Sequence, residues 1–109
     1  NVAPEDRDAK NPQAWRDGVL ANDEVRGVLA ELRSYGLHDS MRLCHPDPGI
    51  YSWWDYRMLG FAKNDGLRID HLDVTGPLLS RVRDVHVDRD ERKGKQPSDH
   101  APVILELAE

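Results

Sequence analysis

Asn22-Asp23-Glu24-Val25-Arg26-Gly27-Val28-Leu29-Ala30-Glu31-Leu32-Arg33-Ser34-Tyr35-Gly36 carries helical punctuation at both ends and a helical stripe between them. Asn22 suits an N-cap, because its side-chain oxygen can accept from an orphan amide of the first turn. Asp23 and Glu24 follow where the helix dipole favours carboxylates. Val25, Val28, Leu29, Leu32 and Tyr35 recur at spacings of three and four, which lays one apolar stripe along a helix. Gly36 fits the left-handed residue that ends such a helix. The spacing predicts a helix over about Asp23 to Tyr35.

Working outward, the other apolar segments have strand character. Tyr51-Ser52-Trp53-Trp54-Asp55-Tyr56 is rich in aromatics. Leu67 to Thr75 alternates, and Gly76-Pro77 breaks it before a helical turn over Pro77–Ser80. Val82 to Val87 alternates valine with charge, and Pro102 to Leu107 is more apolar. The connections are polar. Asn1 to Asn22 reads as loop with one short turn, Leu37 to Pro48 as turn-rich with a helical turn at Met41–Cys44. Gly60 to Gly66 ends on the turn signal Asn64-Asp65-Gly66, and Arg89 to Gln96 is a charged loop. One helix followed by several strands predicts an α+β fold with mainly antiparallel pairing.

Composition narrows the function classes. The 109 residues are 39% hydrophobic and 32% charged, a globular composition for one domain or part of one. No apolar run approaches the roughly 20 residues that span a bilayer, so no membrane partner is expected. The single cysteine, Cys44, excludes an internal disulfide and a cysteine-rich zinc module, and agrees with a reducing, cytoplasmic location. Fifteen basic residues against twenty acidic ones give a net charge of −5, which excludes a simple basic glove for nucleic acid. It leaves room for a metal-dependent phosphate enzyme, whose site needs carboxylates. The chain starts at Asn1 without an initiator methionine, so residues upstream are expected.

Three short motifs carry chemistry. Ser98-Asp99-His100 sits before an apolar strand, where a carboxylate and an imidazole can reach one phosphate or metal; alternatively it is an ordinary turn. Gly66-Leu67-Arg68-Ile69-Asp70-His71 places Asp70 in a strand-like segment. There it could orient the His100 imidazole, or it could lie with Arg68 on a solvated face. The aromatic run, with Arg57 after it, reads as core or as a pocket against a base or sugar with Arg57 on a phosphate. His38, His45, His71 and His86 lack metal-ligand spacing. Arg89, Arg92, Lys93 and Lys95 are diluted by acids and read as a solvated loop, with contact to a nucleic-acid backbone as the alternative.

Taken in order, these motifs resemble the C-terminal half of the exonuclease III type of apurinic/apyrimidinic endonuclease, in the endonuclease/exonuclease/phosphatase superfamily. Asn1-Val2-Ala3-Pro4 resembles the tail of a Gly-Asp-Xaa-Asn motif. Asn11-Pro12, Trp15, Ser34-Tyr35-Gly36-Leu37 and His38-Asp39-Ser40-Met41-Arg42 fit the stretch that follows. Tyr51 to Arg57, Gly66 to Asp70 and Ser98 to Val103 are the specific markers. The resemblance implies half of a four-layer α/β sandwich over residues 1–109, with the N-terminal half absent. It implies a Mg²⁺-dependent (or Mn²⁺-dependent) phosphodiesterase in base-excision repair. Its partner would be duplex DNA, cut 5′ to an abasic site or digested from a 3′ end. His100 would sit against the scissile phosphate, Asp70 would orient it, and Asn1 would bond the phosphate or the attacking water. Asp99 would serve a metal position. Trp53, Leu67 and Ile69 would wall the abasic pocket.

The family's general-base Asp, two residues before its motif Asn, would precede Asn1. So would its metal-binding Glu and catalytic Tyr. The isolated chain is therefore expected to be inactive, with no metal bound in the fragment, and to pair as a homodimer through an uncovered sheet face. Two rivals remain: a fragment of a related phosphoesterase on nucleotide or lipid phosphates, and a non-catalytic interaction domain.

Overall fold

The computed structural model describes residues 1–94 and 97–109; Lys95, one member of the basic cluster, and Gln96 lie outside the described residues. The predicted helix forms as α2 (Asp23–Arg33) after a short α1 (Pro12–Trp15). Asn22 caps it, its side-chain oxygen accepting from the Val25 amide at 2.9 Å, and Gly36 takes φ 106° beyond its end. The stripe on α2 is split: Val25 and Leu29 are half-buried, whereas Val28 (57%), Leu32 (54%) and Tyr35 (81%) stay exposed.

The fold is α+β with antiparallel pairing; the Val82–Val87 strand has its expected bounds, but the aromatic run and Leu67–Thr75 yield much shorter strands than the sequence predicts. Among the described residues there are three two-stranded ladders: β1 (Leu37–Asp39) with β4 (Asp73–Thr75), β2 (Trp53–Trp54) with β3 (Gly66–Leu67), and β5 (Val82–Val87) with β6 (Val103–Leu107). Helices α3 (Ser40–Cys44) and α4 (Gly76–Leu79) match the two predicted helical turns. Strand β1 falls where only turns are expected.

The predicted strand Leu67–Thr75 is broken in the middle, and its backbone donors show why. The Arg68 amide bonds to the Asp8 carbonyl at 2.7 Å. The amides of Ile69 and Asp70 both bond to the Ser52 hydroxyl at 3.1 Å. These donors are satisfied away from any ladder, so the chain turns and only Asp73–Thr75 resumes pairing. Single bridges, Ala9 to Leu67 and Trp53 to His100, extend the β2–β3 ladder into a row of four chain segments.

Two apolar clusters flank that row. Ala3, Ala9, Ala21, Leu67 and Ile69 form one, with Trp15, Leu20 and Trp53 against it. Tyr51, Trp54 and Ala101 form the other, with Phe61 and Val87. Gly66 runs tight against the second: a Cβ there would lie 2.6 Å from the Trp54 indole nitrogen, so no larger residue fits. The chain measures 42 × 32 × 22 Å, thin in one direction, as part of a layered domain would be.

The solvated-face alternative for Arg68 fails. Arg68 is 1% exposed, between Asp8 and Asp39. Its Nε donates to Asp8 at 2.8 Å, and its two terminal nitrogens grip Asp39 at 3.0 and 2.5 Å. Arg42 also reaches Asp8, and Arg33 bridges Asp39 and Asp73. The pull of buried Asp8 and half-buried Asp39 turns Arg68 in.

His71 caps the network. Its Nε2 donates to the Val2 carbonyl at 2.6 Å while its Nδ1 faces Arg68 at 3.2 Å. A guanidinium only donates, so Nδ1 accepts and the ring is neutral. Burial, seconded by Arg68 and Arg33, lowers the His71 pKa against the pull of Val2 and Asp39. Burial acts to raise Asp39, but Arg68 and Arg33 outweigh it and hold that carboxyl low. Both shifts make acid destabilising, in separate windows. Below about pH 6.5 the unfolded His71 takes a proton that the folded one resists, so stability falls from there toward the folded pKa. The Asp39 contribution is present above about pH 3.9 and is lost as pH falls through its lowered folded value. Urea midpoints should drop between pH 7.5 and 5, and His71→Gln should flatten that drop.

Candidate active site

The break after Leu67 is what builds the site. It turns Asp70 out of the strand, 29% exposed, toward the segment that bridges Trp53 from the other side. His100 meets it there. The His100 Nδ1 lies 3.0 and 2.8 Å from the two Asp70 oxygens. A carboxylate accepts, so Nδ1 carries the proton and Nε2 lies on the side of Asp99.

Asp70 is itself held by other donors. The Ser52 hydroxyl donates to its Oδ2 at 2.7 Å, and Asn1 Nδ2 to its Oδ1 at 3.1 Å. Asn1 also donates to the Ile69 carbonyl at 3.3 Å, tying the first residue to the site. Ser52 is fully buried and was missed in the sequence. Only its register opposite the Leu67–Asp70 break marks it, and that register is a product of folding.

Asp99 stands on the far side of the imidazole, its Oδ1 3.8 Å from His100 Nε2. Its Oδ2 accepts from the Trp53 indole at 3.0 Å. The structure thus brings Asn1, Asp70, Asp99, His100 and Trp53 together. Leu67 (0% exposed) and Ile69 (2%) lie beneath them as core, without an open face, so any wall they give a pocket is by backing Trp53. Arg57 is apart from the cluster. It is 82% exposed and pairs with Asp55 at 2.6 Å.

The aromatic run divides between its two readings. Tyr51 and Trp54 are core, Trp53 is half-buried at the site, and Tyr56 is 61% exposed. Trp15 packs edge-on against Trp53, ring centroids 5.4 Å apart. Trp15 also lines an open groove of about 530 Å³ with Ala14, Asp55, Arg57, Met58, Gly60 and Asp65. Two buried polar atoms of groove residues, Trp15 Nε1 and Asp65 Oδ1, have no hydrogen-bond partner among the described residues.

Carboxylate oxygens suit a hard cation such as Mg²⁺. Among the described residues, however, no three His, Cys, Asp or Glu side chains converge to hold one. The described residues do not by themselves complete a metal site. They do complete an oriented imidazole, flanked by acids and a tryptophan. Once Nε2 also carries a proton, such a group can donate to a phosphate oxygen. Also among the described residues, no helix is long and apolar enough to cross a membrane.

Known proteins share this fold. No family model matches the chain. Exodeoxyribonuclease III of Haemophilus influenzae is 41% identical over 98% of the chain, which covers 43% of that protein. A 3′ phosphatase from Neisseria, solved bound to product DNA hairpin, superposes with a TM-score of 0.96 at 38% identity, covering all of this chain and 42% of the other. An AP endonuclease from Archaeoglobus fulgidus gives a TM-score of 0.92 at 32% identity, covering 97% and 42%. The chain spans less than half the length of the curated relatives it matches.

Proposed function

This chain belongs to the exodeoxyribonuclease III type of apurinic/apyrimidinic endonuclease, and we propose that it is the C-terminal portion of a DNA-repair phosphodiesterase. The whole protein would cut duplex DNA 5′ to abasic sites and digest 3′ ends, in the cytoplasm with the chromosome. The observation that carries this reading is the Asp70–His100 contact at 2.8 Å beside Asp99.

In this reading His100 acts as an imidazolium. Its Nδ1–H donates to Asp70, which stabilises the cation, and its Nε2–H donates to a non-bridging oxygen of the scissile phosphate and stabilises the charge that builds there. Asn1, held on Asp70, bonds the phosphate or the attacking water. Trp53, backed by Leu67, Ile69 and Trp15, walls the space for a flipped sugar, and a tight aromatic wall disfavours an intact base. Arg57, at the rim of the adjoining groove, contacts the DNA backbone. Asp99 supports a Mg²⁺ or Mn²⁺ position whose remaining ligands lie outside this chain.

The isolated chain should show no detectable incision of an abasic duplex with Mg²⁺, while the whole protein cleaves it. Incision by the chain at the whole protein's rate would overturn the division of the site. We propose further that the isolated chain pairs with a copy of itself. On strand β6, Val103 and Leu105 are half-buried and Leu107 (39%) is exposed along one face, and such a face needs cover. Sedimentation should give a dimer mass. Offering the whole protein abasic duplex, nucleotide phosphates and inositol phosphates side by side separates repair from the phosphoesterase alternative.

A further inference from the structure

Arg92 does not lie on the solvated loop that its charged neighbours suggested. It ends the 3₁₀ turn Arg89–Arg92 and is 6% exposed. Its guanidinium sits among three rings, 5.7 Å from the Trp54 centroid, 5.3 Å from Tyr56 and 5.0 Å from Phe61. Ring faces attract a desolvated cation. Its two terminal nitrogens donate to the Ser98 carbonyl at 2.9 Å and the Trp54 carbonyl at 3.0 Å.

Those two carbonyls belong to the two segments that make the site. Ser98 precedes Asp99 and His100; Trp54 follows Trp53. The surrounding bonds complete the fastening. Tyr56 donates to the Pro97 carbonyl at 2.6 Å, and the Trp54 amide to the Asp99 carbonyl at 3.1 Å. Three consecutive carbonyls, of Pro97, Ser98 and Asp99, are thus each held by a donor. The Ser98 hydroxyl in turn accepts from the His100 amide at 3.1 Å. Among the described residues, only Arg92 bonds both segments through one rigid, charged group. Lysine cannot reproduce that planar fork.

We propose that Arg92 is the positioning residue for the Asp99–His100 turn. From behind the site it locks the turn to the Trp53–Trp54 strand, and so sets both the Trp53–Asp99 bond and the reach of His100 to Asp70. The importance of that turn to catalysis rests on the function proposed above. The test below reads geometry alone, so the two can fail separately.

Arg92→Gln and Arg92→Lys in the full chain should each speed hydrogen exchange at the Trp54 amide by about tenfold or more, the effect of losing charge-assisted bonds. The Trp53 indole N–H resonance should move toward its unbonded position. The Val85 amide, buried in the β5–β6 ladder, is the control and should keep its exchange rate. Equal acceleration at Trp54 and Val85 would mean general loosening and would overturn the proposal. So would an unchanged Trp53 signal. If Arg92→Gln fails to fold, Arg92→Lys decides, since it retains the cation among the rings and removes only the fork.

Discussion

Arg68→Met will destabilise the chain by about 3–5 kcal/mol, the cost of removing one partner from a buried ion pair. The effect is large because of what remains. Asp8 is 0% exposed and loses the Nε donor at 2.8 Å; Asp39 loses two donors at once. Arg42 still reaches Asp8 and Arg33 still reaches Asp39, so neither acid is abandoned. Each is nevertheless left with more buried charge than its remaining partner offsets. A domain of this size has about 5–15 kcal/mol in total, so most of the margin goes. Urea denaturation at pH 7.5 measures it. Arg68→Lys should recover only part, because an ammonium cannot bridge both acids as the fork does. Adding Asp39→Asn to Arg68→Met should recover some of the loss, since it removes one of the stranded charges. A cost below about 1 kcal/mol for Arg68→Met would show that the network contributes little beyond packing.

The same network marks the limit of what could be read in the sequence. Local signals were legible. Asn22 and Gly36 bounded α2, and Val82–Val87 and the chain from Val103 paired as strands, because caps and alternation act over a few residues. The motif acids and imidazole were legible too, since Asp70, Asp99 and His100 stand in recognisable short runs. The break in Leu67–Thr75 was not. It depends on Asp8 and Ser52, distant in sequence, supplying acceptors for the amides of residues 68–70. Alternation has no term for that. The burial of Arg68 and Arg92 was not legible for a related reason. Each is buried by partners that only the fold assembles, acids in one case and aromatic rings in the other. Leu67 and Ile69 carried the right chemistry for a wall, yet the structure uses them one layer deeper. Ser52, which satisfies the break and holds Asp70, shows no local pattern at all.

That dependence of the site on a broken strand sharpens the second large effect. Asp70→Asn should lower phosphodiester cleavage by the whole protein by about 10³–10⁴-fold, the scale seen when an imidazole is left in the wrong tautomer. The carboxylate now accepts from Asn1, Ser52 and His100 together. An amide has one accepting oxygen and a donating nitrogen, so at least one of those donors meets another donor. If the amide nitrogen faces the ring, Nδ1 must accept, so the ring is held neutral with its one proton on Nε2 and the imidazolium charge that would stabilise the phosphate is lost. The fold should tolerate the change. Asp70 is partly exposed, and the Ile69 and Asp70 amides keep the Ser52 hydroxyl. The loss should therefore fall on kcat rather than on DNA binding or on the urea midpoint. Imidazole ¹⁵N shifts of His100 can be followed in this chain alone, without any activity, and should report the tautomer change directly. Asn1→Ala removes one donor and leaves the carboxylate in place, so it should leave the His100 tautomer as it is. An unaltered tautomer in Asp70→Asn, with cleavage near the parent rate, would remove Asp70 from the mechanism. It would leave the 2.8 Å contact as a structural bond.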